Sequence, residues 1–354
     1  MSPLVRGFIW ALAAAVGFGL TTPLIALSAG KAGSWLTAAT LYCGAALFAA
    51  TIQGSPRRSL ATLRRNGRAY AAIALSGGML APAAFTAGLR LAGPLGSSLA
   101  LNFEAVFSIL LATVLFKEHI GPRLIFACGA ILAGGAVLAL QGGGEFGSSA
   151  GIGLVVLATA LWAADNAVSS SLRDADTRVT VFWKSLIGAA LTLPVAAAFH
   201  EPLPSVASLT ALLAIGAFGY GASLWCYLRA QRTFGVARTA SLFAIAPFIG
   251  AGVSLALHAQ PPSAATGLVA GLMVLGVALH VTERHAHRHR HAPLEHRHEH
   301  RHDDGHHAHH GDGSTPEEHV HTHRHNELVH EHDHAPDLHH EHAHEHEPVP
   351  HPAA

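Results

Sequence analysis

Apolar residues fill most of residues 1–282 in long runs, and polar residues take over abruptly near residue 283. A helix needs about 20 apolar residues to cross roughly 30 Å of hydrocarbon. Ten segments reach that length: 4–28, 34–52, 69–89, 95–116, 121–140, 150–171, 179–199, 206–228, 236–257 and 263–282. Arg6 followed by an apolar stretch imitates a secretory leader, whose apolar core spans about 7–15 residues. The stretch here runs about 20, so it reads as a retained first helix.

Basic residues divide the connections into two kinds. Those after even-numbered segments carry Arg57, Arg58, Arg64, Arg65 and Arg68; Lys117 and Arg123; Arg173 and Arg178; and Arg229, Arg232 and Arg238. Those after odd-numbered segments hold only Lys31 and Arg90. Lys/Arg bias orients membrane proteins. The even connections and both termini are therefore expected in the cytoplasm, with the body in the inner (plasma) membrane.

The segments also repeat. A shift of 142 residues lays the stretch Ser98–Leu140 over Ala240–Thr282 without a gap, pairing Gly129 with Gly271 and Gly134 with Gly276. The halves 1–140 and 150–282 each hold five segments, an odd number, so they must face opposite ways. Inverted repeats with a binding site at their interface are a construction of secondary transporters. The expected fold is an all-α integral membrane protein of ten helices in two inverted five-helix repeats, followed by a disordered tail at 283–354.

Composition supports this division. Only 12% of residues are charged, against roughly 25% in soluble domains, which excludes an ordinary soluble enzyme. Residues 1–282 carry 16 Lys/Arg and 7 Asp/Glu, and the tail carries 6 and 15. Topology explains the basic excess of the body, so it is not read as a nucleic-acid footprint. Cys43, Cys128 and Cys226 lie in apolar segments without metal-ligand spacing and read as small core residues.

Four stretches resemble the EamA branch of the drug/metabolite transporter superfamily. They are Gly19-Leu20-Thr21-Thr22-Pro23, Gly77-Gly78-Met79-Leu80-Ala81-Pro82, Ser98 to Glu104 running on to Phe116-Lys117-Glu118, and Ala237 to Ser241 running on to Ala246-Pro247-Phe248-Ile249-Gly250. The resemblance spans residues 1–282. It implies ten helices and transport, and leaves the cargo open among amino acids, other metabolites and drugs; no enzymatic activity is expected, since the body shows no His-rich motif and no nucleophile–base pairing. The second repeat departs from it, carrying Gln260 where the first carries Glu118.

Charges within hydrocarbon cost at least about 2.5–3.5 kcal/mol each, which makes them candidates for function. Glu104 near the middle of the fourth segment, beside Asn102, can bind a cation, a basic cargo group or a proton. Asp165 and Asn166 on the sixth segment and Lys184 on the seventh lie at similar depth, and Asp165 and Lys184 can pair. Pro23, Pro82, Pro194 and Pro247 interrupt helices, and Pro247 is expected near Glu104. The tryptophans Trp10, Trp35, Trp162, Trp183 and Trp225 read chiefly as interfacial anchors or packing.

The tail holds 25 of the 29 histidines. Imidazole suits Ni, Zn, Co and Cu, and the densest runs are His296, His298, His300, His302, His306, His307, His309 and His310, then His339, His340, His342, His344 and His346. No cofactor is required by the body. A P-loop is absent, so ATP-driven transport by this chain is not expected. The best reading is a secondary exporter of small metabolites or amino acids working by alternating access. The alternatives are a Ni/Co/Zn exporter whose tail loads or senses metal, and a membrane-anchored metal store. Its partners are a small-molecule or ion substrate and the lipid bilayer, with a homodimer left open.

Overall fold

The computed structural model describes residues 3–282, apart from 53, 117–120, 142–144, 170–171, 173–174, 235 and 259–262. It also describes the backbone of 285–291, 294–300, 319–325 and 328–334. The chain divides near Glu283 into two compact units. All regular structure described in the first is helical, as a hydrocarbon environment demands: each backbone N–H and C=O must find a partner within the protein.

The helices run α1 (Pro3–Gly19), α2 (Thr21–Ser28), α3 (Ser34–Ile52), α4 (Pro56–Arg65) and α5 (Gly67–Ile73). A π-helical segment π1 (Ala74–Leu80) leads into α6 (Ala81–Ala100), then α7 (Phe103–Phe116), α8 (Pro122–Leu140), α9 (Ser149–Ser169) and α10 (Thr177–Ala198). Next come α11 (Val206–Ile215), π2 (Gly216–Ala222), α12 (Ser223–Phe234), α13 (Val236–Phe243), α14 (Ala246–His258) and α15 (Ala264–Val281).

Among the described residues nine helical stretches are long and apolar enough to cross a membrane, and Phe103–Leu115 is a shorter apolar helix. One of the nine, Gly67–Ala100, has 34 residues. It is divided at Gly93, whose φ of 71° lies in the left-handed region that glycine enters without steric cost. Pro94 follows directly, and proline is suited to the first turn of a helix. The third and fourth expected segments thus meet at Gly93. The fourth is itself broken at Leu101–Asn102, between α6 and α7.

The 142-residue period reappears as structure. Ala74 and Gly216, which open π1 and π2, stand 142 residues apart. The break at Leu101–Asn102 has its counterpart, shifted by one residue from the 142-residue period, at Ala244–Ile245, between α13 and α14. Arg90 Nη1 donates to Ala32 O at 2.5 Å, and Arg232, 142 residues later, donates through Nη2 to Ala175 O at 2.6 Å. Packing is reciprocal as well: α3 meets α10, π2 lies on α3 as π1 lies on α10, and α8 meets α15.

Glycine permits the closest of these approaches, as small residues do between helices in lipid. A Cβ on Gly216 would collide with the Leu41 carbonyl of α3, and one on Gly188 would lie 2.7 Å from Gly78 O. Gly134 and Gly276 face each other's helices across α8 and α15, whereas Gly129 and Gly271 open onto empty space.

Three of the four prolines follow an interruption within a longer helical stretch. Pro23, Pro82 and Pro247 fall in the first turns of α2, α6 and α14, and the missing N–H of each leaves a carbonyl of the preceding turn without that donor. Only Pro194, of these four, lies within a helix.

Four segments of the tail adopt strands: β1 (His285–His291), β2 (Leu294–His300), β3 (His319–His325) and β4 (Leu328–His334). β1 pairs with β4 and β2 with β3, both antiparallel. Histidine at every second position has the two-residue period of a strand, and the registers set histidine opposite histidine, as at His287–His332 and His298–His321. A lone two-stranded ladder is marginal in water.

Overpacking a tight helix contact costs about 1–3 kcal/mol. Gly216→Val should therefore lower the Tm of the detergent-solubilised protein by several degrees, while Gly271→Val, facing open space, leaves it unchanged. Scanning fluorimetry on the two variants checks this.

Candidate functional site

A single backbone carbonyl organises the polar centre of the body. In π1 the N–H of Ala81 bonds to Ser76 O, five residues back. The next position is Pro82, which has no N–H, so Gly77 O is left without a helical donor. Two side chains fill it: Tyr42 Oη of α3 donates at 2.5 Å and Trp162 Nε1 of α9 at 3.3 Å. The missing side chain of Gly77 also leaves room for a carboxylate, since a Cβ there would collide with Asp165.

Asp165 and Asn166 are neighbours on α9, so their side chains diverge by about 100°. Asp165 Oδ2 forms an ion pair with Lys184 Nζ of α10, and the two side chains are only 2% and 8% exposed. The other oxygen, Asp165 Oδ1, has no partner among the described residues. Asn166 Nδ2 points the other way and donates to Glu104 Oε1 at 2.9 Å.

Glu104 stands in the first turn of α7, two residues past the break, and is partly buried. The sequence had placed it midway along a continuous helix. Its carboxylate instead lies at the positive end of a short one, which favours negative charge. Glu104 also lies within electrostatic reach of Asp165 and Lys184. The group therefore holds two carboxylates and one ammonium, one negative charge in excess when all three are ionised.

Aromatic rings pack around this centre. Phe18 meets Trp162, Tyr220 and Phe243 at centroid distances of 6.0, 5.9 and 5.5 Å, and Phe85 meets Trp162 at 5.6 Å. Tyr42 and Tyr220 lie 5.6 Å apart. Tyr220 Oη has no partner among the described residues, and neither do the hydroxyls of Ser97 and Ser98 on α6.

The structure thus gathers Glu104, Asp165, Asn166 and Lys184 from α7, α9 and α10. Asn102 is buried at the break and donates from Nδ2 to Leu99 O at 2.9 Å, bracing the chain where the helix stops. Pro247 occupies the corresponding broken segment of the other half, in the first turn of α14. Glu118 and Gln260 lie outside the described residues, as do His302, His306, His307, His309, His310, His339, His340, His342, His344 and His346. His296, His298 and His300 are described as backbone positions of β2. Among the described residues no three His, Cys, Asp or Glu side chains gather as a metal site.

Sequence reasoning passed over Tyr42 and Tyr220, singled out Gly77 only as part of the family resemblance, and read Trp162 as an interfacial anchor or packing residue. The one available signal was Gly77-Gly78 followed by Pro82, a pattern that frees a carbonyl.

Removing one member of a buried ion pair costs about 3–5 kcal/mol, because the other charge is stranded. Asp165→Asn should accordingly lower Tm sharply, and Asp165→Asn combined with Lys184→Met should recover most of the loss. Additive losses in the double variant would show that the pair is not coupled.

The profile of the EamA-like transporter family matches residues 5–140 and again 149–282. A protein of Methanothermobacter thermautotrophicus (strain Delta H) described as an uncharacterized transporter is 26% identical over 293 residues, covering 77% of this chain and 84% of its own length. A solved crystal structure shares the fold with a TM-score of 0.58 at 19% identity, covering 78% of this chain and 96% of the solved one. With its apolar helices and a family match that takes in most of its length, the chain is a multi-pass membrane protein and belongs to the EamA-like transporter family.

Proposed function

We propose that the protein is a secondary transporter of small metabolites or amino acids, in which Glu104 is the exchange site for cargo and proton. Its ten membrane segments form two inverted repeats of five, the third and fourth divided at Gly93. Both termini lie in the cytoplasm and the body spans the inner membrane. The observation that carries this reading is the excess negative charge beside a broken helix. Asp165 and Lys184 offset one another, whereas the partner of Glu104 among the described residues is the neutral amide of Asn166.

Burying an uncompensated carboxylate is costly. The site is therefore most stable when it holds one positive charge, either a proton on Glu104 or a cationic group of the cargo. If the two exclude each other and are exchanged on opposite sides, the movement of one drives the other. Broken helices support such a cycle, because irregular backbone within a membrane is tolerated where it borders a protein interior or a water-filled path. Asn102 and Pro247 shape the two breaks. Asp165 and Lys184 hold π1, α9 and α10 in register around the site.

The test uses proteoliposomes with an entrapped pH indicator, challenged with a panel of amino acids, amines and the chlorides of Ni, Co, Zn and Cu. A member of the panel should drive proton movement with the full chain and with residues 1–282 alone. Glu104→Gln should reduce the rate by roughly tenfold or more, equivalent to about 1.4 kcal/mol. Undiminished flux in Glu104→Gln would overturn the proposal. A metal response that is lost on removing 283–354 would favour the metal-exporter reading.

A further inference from the structure

The N-terminus of α3 lacks a cap of its own. Gly33 holds the N-cap place, with its carbonyl accepting from Thr37 N at 3.0 Å, yet it offers no side chain to the free N–H groups that follow. Glu201, in the connection after α10, supplies the cap from 165–166 residues away: Oε1 accepts from Trp35 N at 3.2 Å and Oε2 from Leu36 N at 2.6 Å. A carboxylate at a helix N-terminus gains from both hydrogen bonds and the helix dipole. Gly33 is also required sterically, because a Cβ there would collide with the Glu201 carboxylate.

Neighbouring contacts brace this joint. Trp35 stacks on Phe199 at 6.4 Å, Thr86 Oγ1 donates to Ser34 O at 2.8 Å, and Arg90 holds Ala32 O. His200, between Phe199 and Glu201, has a φ of 51°, uncommon for a residue with a side chain. Turning the chain this sharply at the end of α10 brings Glu201 back toward α3.

The other end of the body is built differently. There α10 is capped by its own Asp176, whose side chain accepts from Arg178 N at 2.9 Å. The Arg178 guanidinium holds the Asp176 carboxyl below the usual carboxylate range. The position 142 residues before Glu201 is Ser59. Its backbone oxygen and Oγ accept from Trp183 Nε1 of α10 at 3.1 and 2.9 Å. At both ends, then, the connection after α3 or α10 grips the opposite half. At one end the grip is a charged carboxylate on two backbone N–H groups; at the other it is a neutral indole contact.

We infer that Glu201 and Gly33 form a latch that holds the two halves closed on the face opposite the arginine-rich connections, and that releasing it opens the path to the central site from that face. Charge-assisted hydrogen bonds are the stronger kind, so the latch biases the resting protein toward closure there. The inference rests on the transporter reading for its meaning, but its test needs no substrate.

The experiment places a cysteine at Ser98, on the segment between Gly93 and the break, in a full-length chain with Cys43, Cys128 and Cys226 replaced by serine. A membrane-impermeant methanethiosulfonate reagent is added to right-side-out and to inverted vesicles. With the latch intact, labelling in right-side-out vesicles should be slow. Gly33→Ala, which pushes the carboxylate aside, and Glu201→Ala, which removes it, should each raise labelling roughly tenfold, the effect of about 1.4 kcal/mol on a two-state equilibrium. Ser59→Ala should not. Unchanged labelling in both latch variants, with Tm and size-exclusion profile preserved, would overturn the latch. A rise seen only in inverted vesicles would overturn its assignment to the outer face. Loss of proton flux in Glu104→Gln is a separate readout, so failure of the transporter reading leaves the labelling result interpretable.

Discussion

Hydrocarbon offers no partner to a backbone N–H or C=O, and this constraint governs the body of the protein. It makes all regular structure described in residues 3–282 helical and favours breaks where other protein groups meet the freed atoms. Gly77 O, orphaned by Pro82, is met by Tyr42 and Trp162. The break at Leu101–Asn102 is braced by the Asn102 side chain. Charged residues obey the same logic: Lys184 and Asp165 are sealed together, and Glu104 is bound to Asn166 at a helix start.

Because the two halves carry corresponding breaks at nearly the same spacing, one structural solution serves twice. π1 lies on α10 as π2 lies on α3, and Arg90 and Arg232 hold carbonyls within one residue of equivalence. Function enters where the halves differ. Only the first half has Glu104 at its break; position 246, 142 residues on, is alanine. Glu201 likewise has a serine as its counterpart. A symmetric frame with asymmetric charges is what a device needs if it is to close at either end yet bind at one centre.

Much of this was legible in the chain. Apolar run lengths mark the spans, alternating arginines separate the connections, and a shift of about 142 residues aligns the halves in the sequence itself. The expected pairing of Asp165 with Lys184 followed from their depth. The breaks were harder to read, because Leu101–Asn102 and Ala244–Ile245 contain neither glycine nor proline. Asn166 could not be matched to Glu104, since that contact joins residues 62 apart and depends on how α7 crosses α9. Glu201 sat in a polar connection where a carboxylate is ordinary, and only the fold carries it to α3.

The inversion of the two halves is the claim on which the site, the breaks and the latch all depend, and labelling of paired positions tests it most directly. Single cysteines at Arg57 and at Pro202, in the connections after α3 and after α10, would be probed with an impermeant maleimide on intact and on permeabilised cells. Inverted halves predict that the cysteine at 202 reacts on intact cells and the cysteine at 57 only after permeabilisation. Reaction of both under the same condition would place equivalent connections on one face and contradict the inversion.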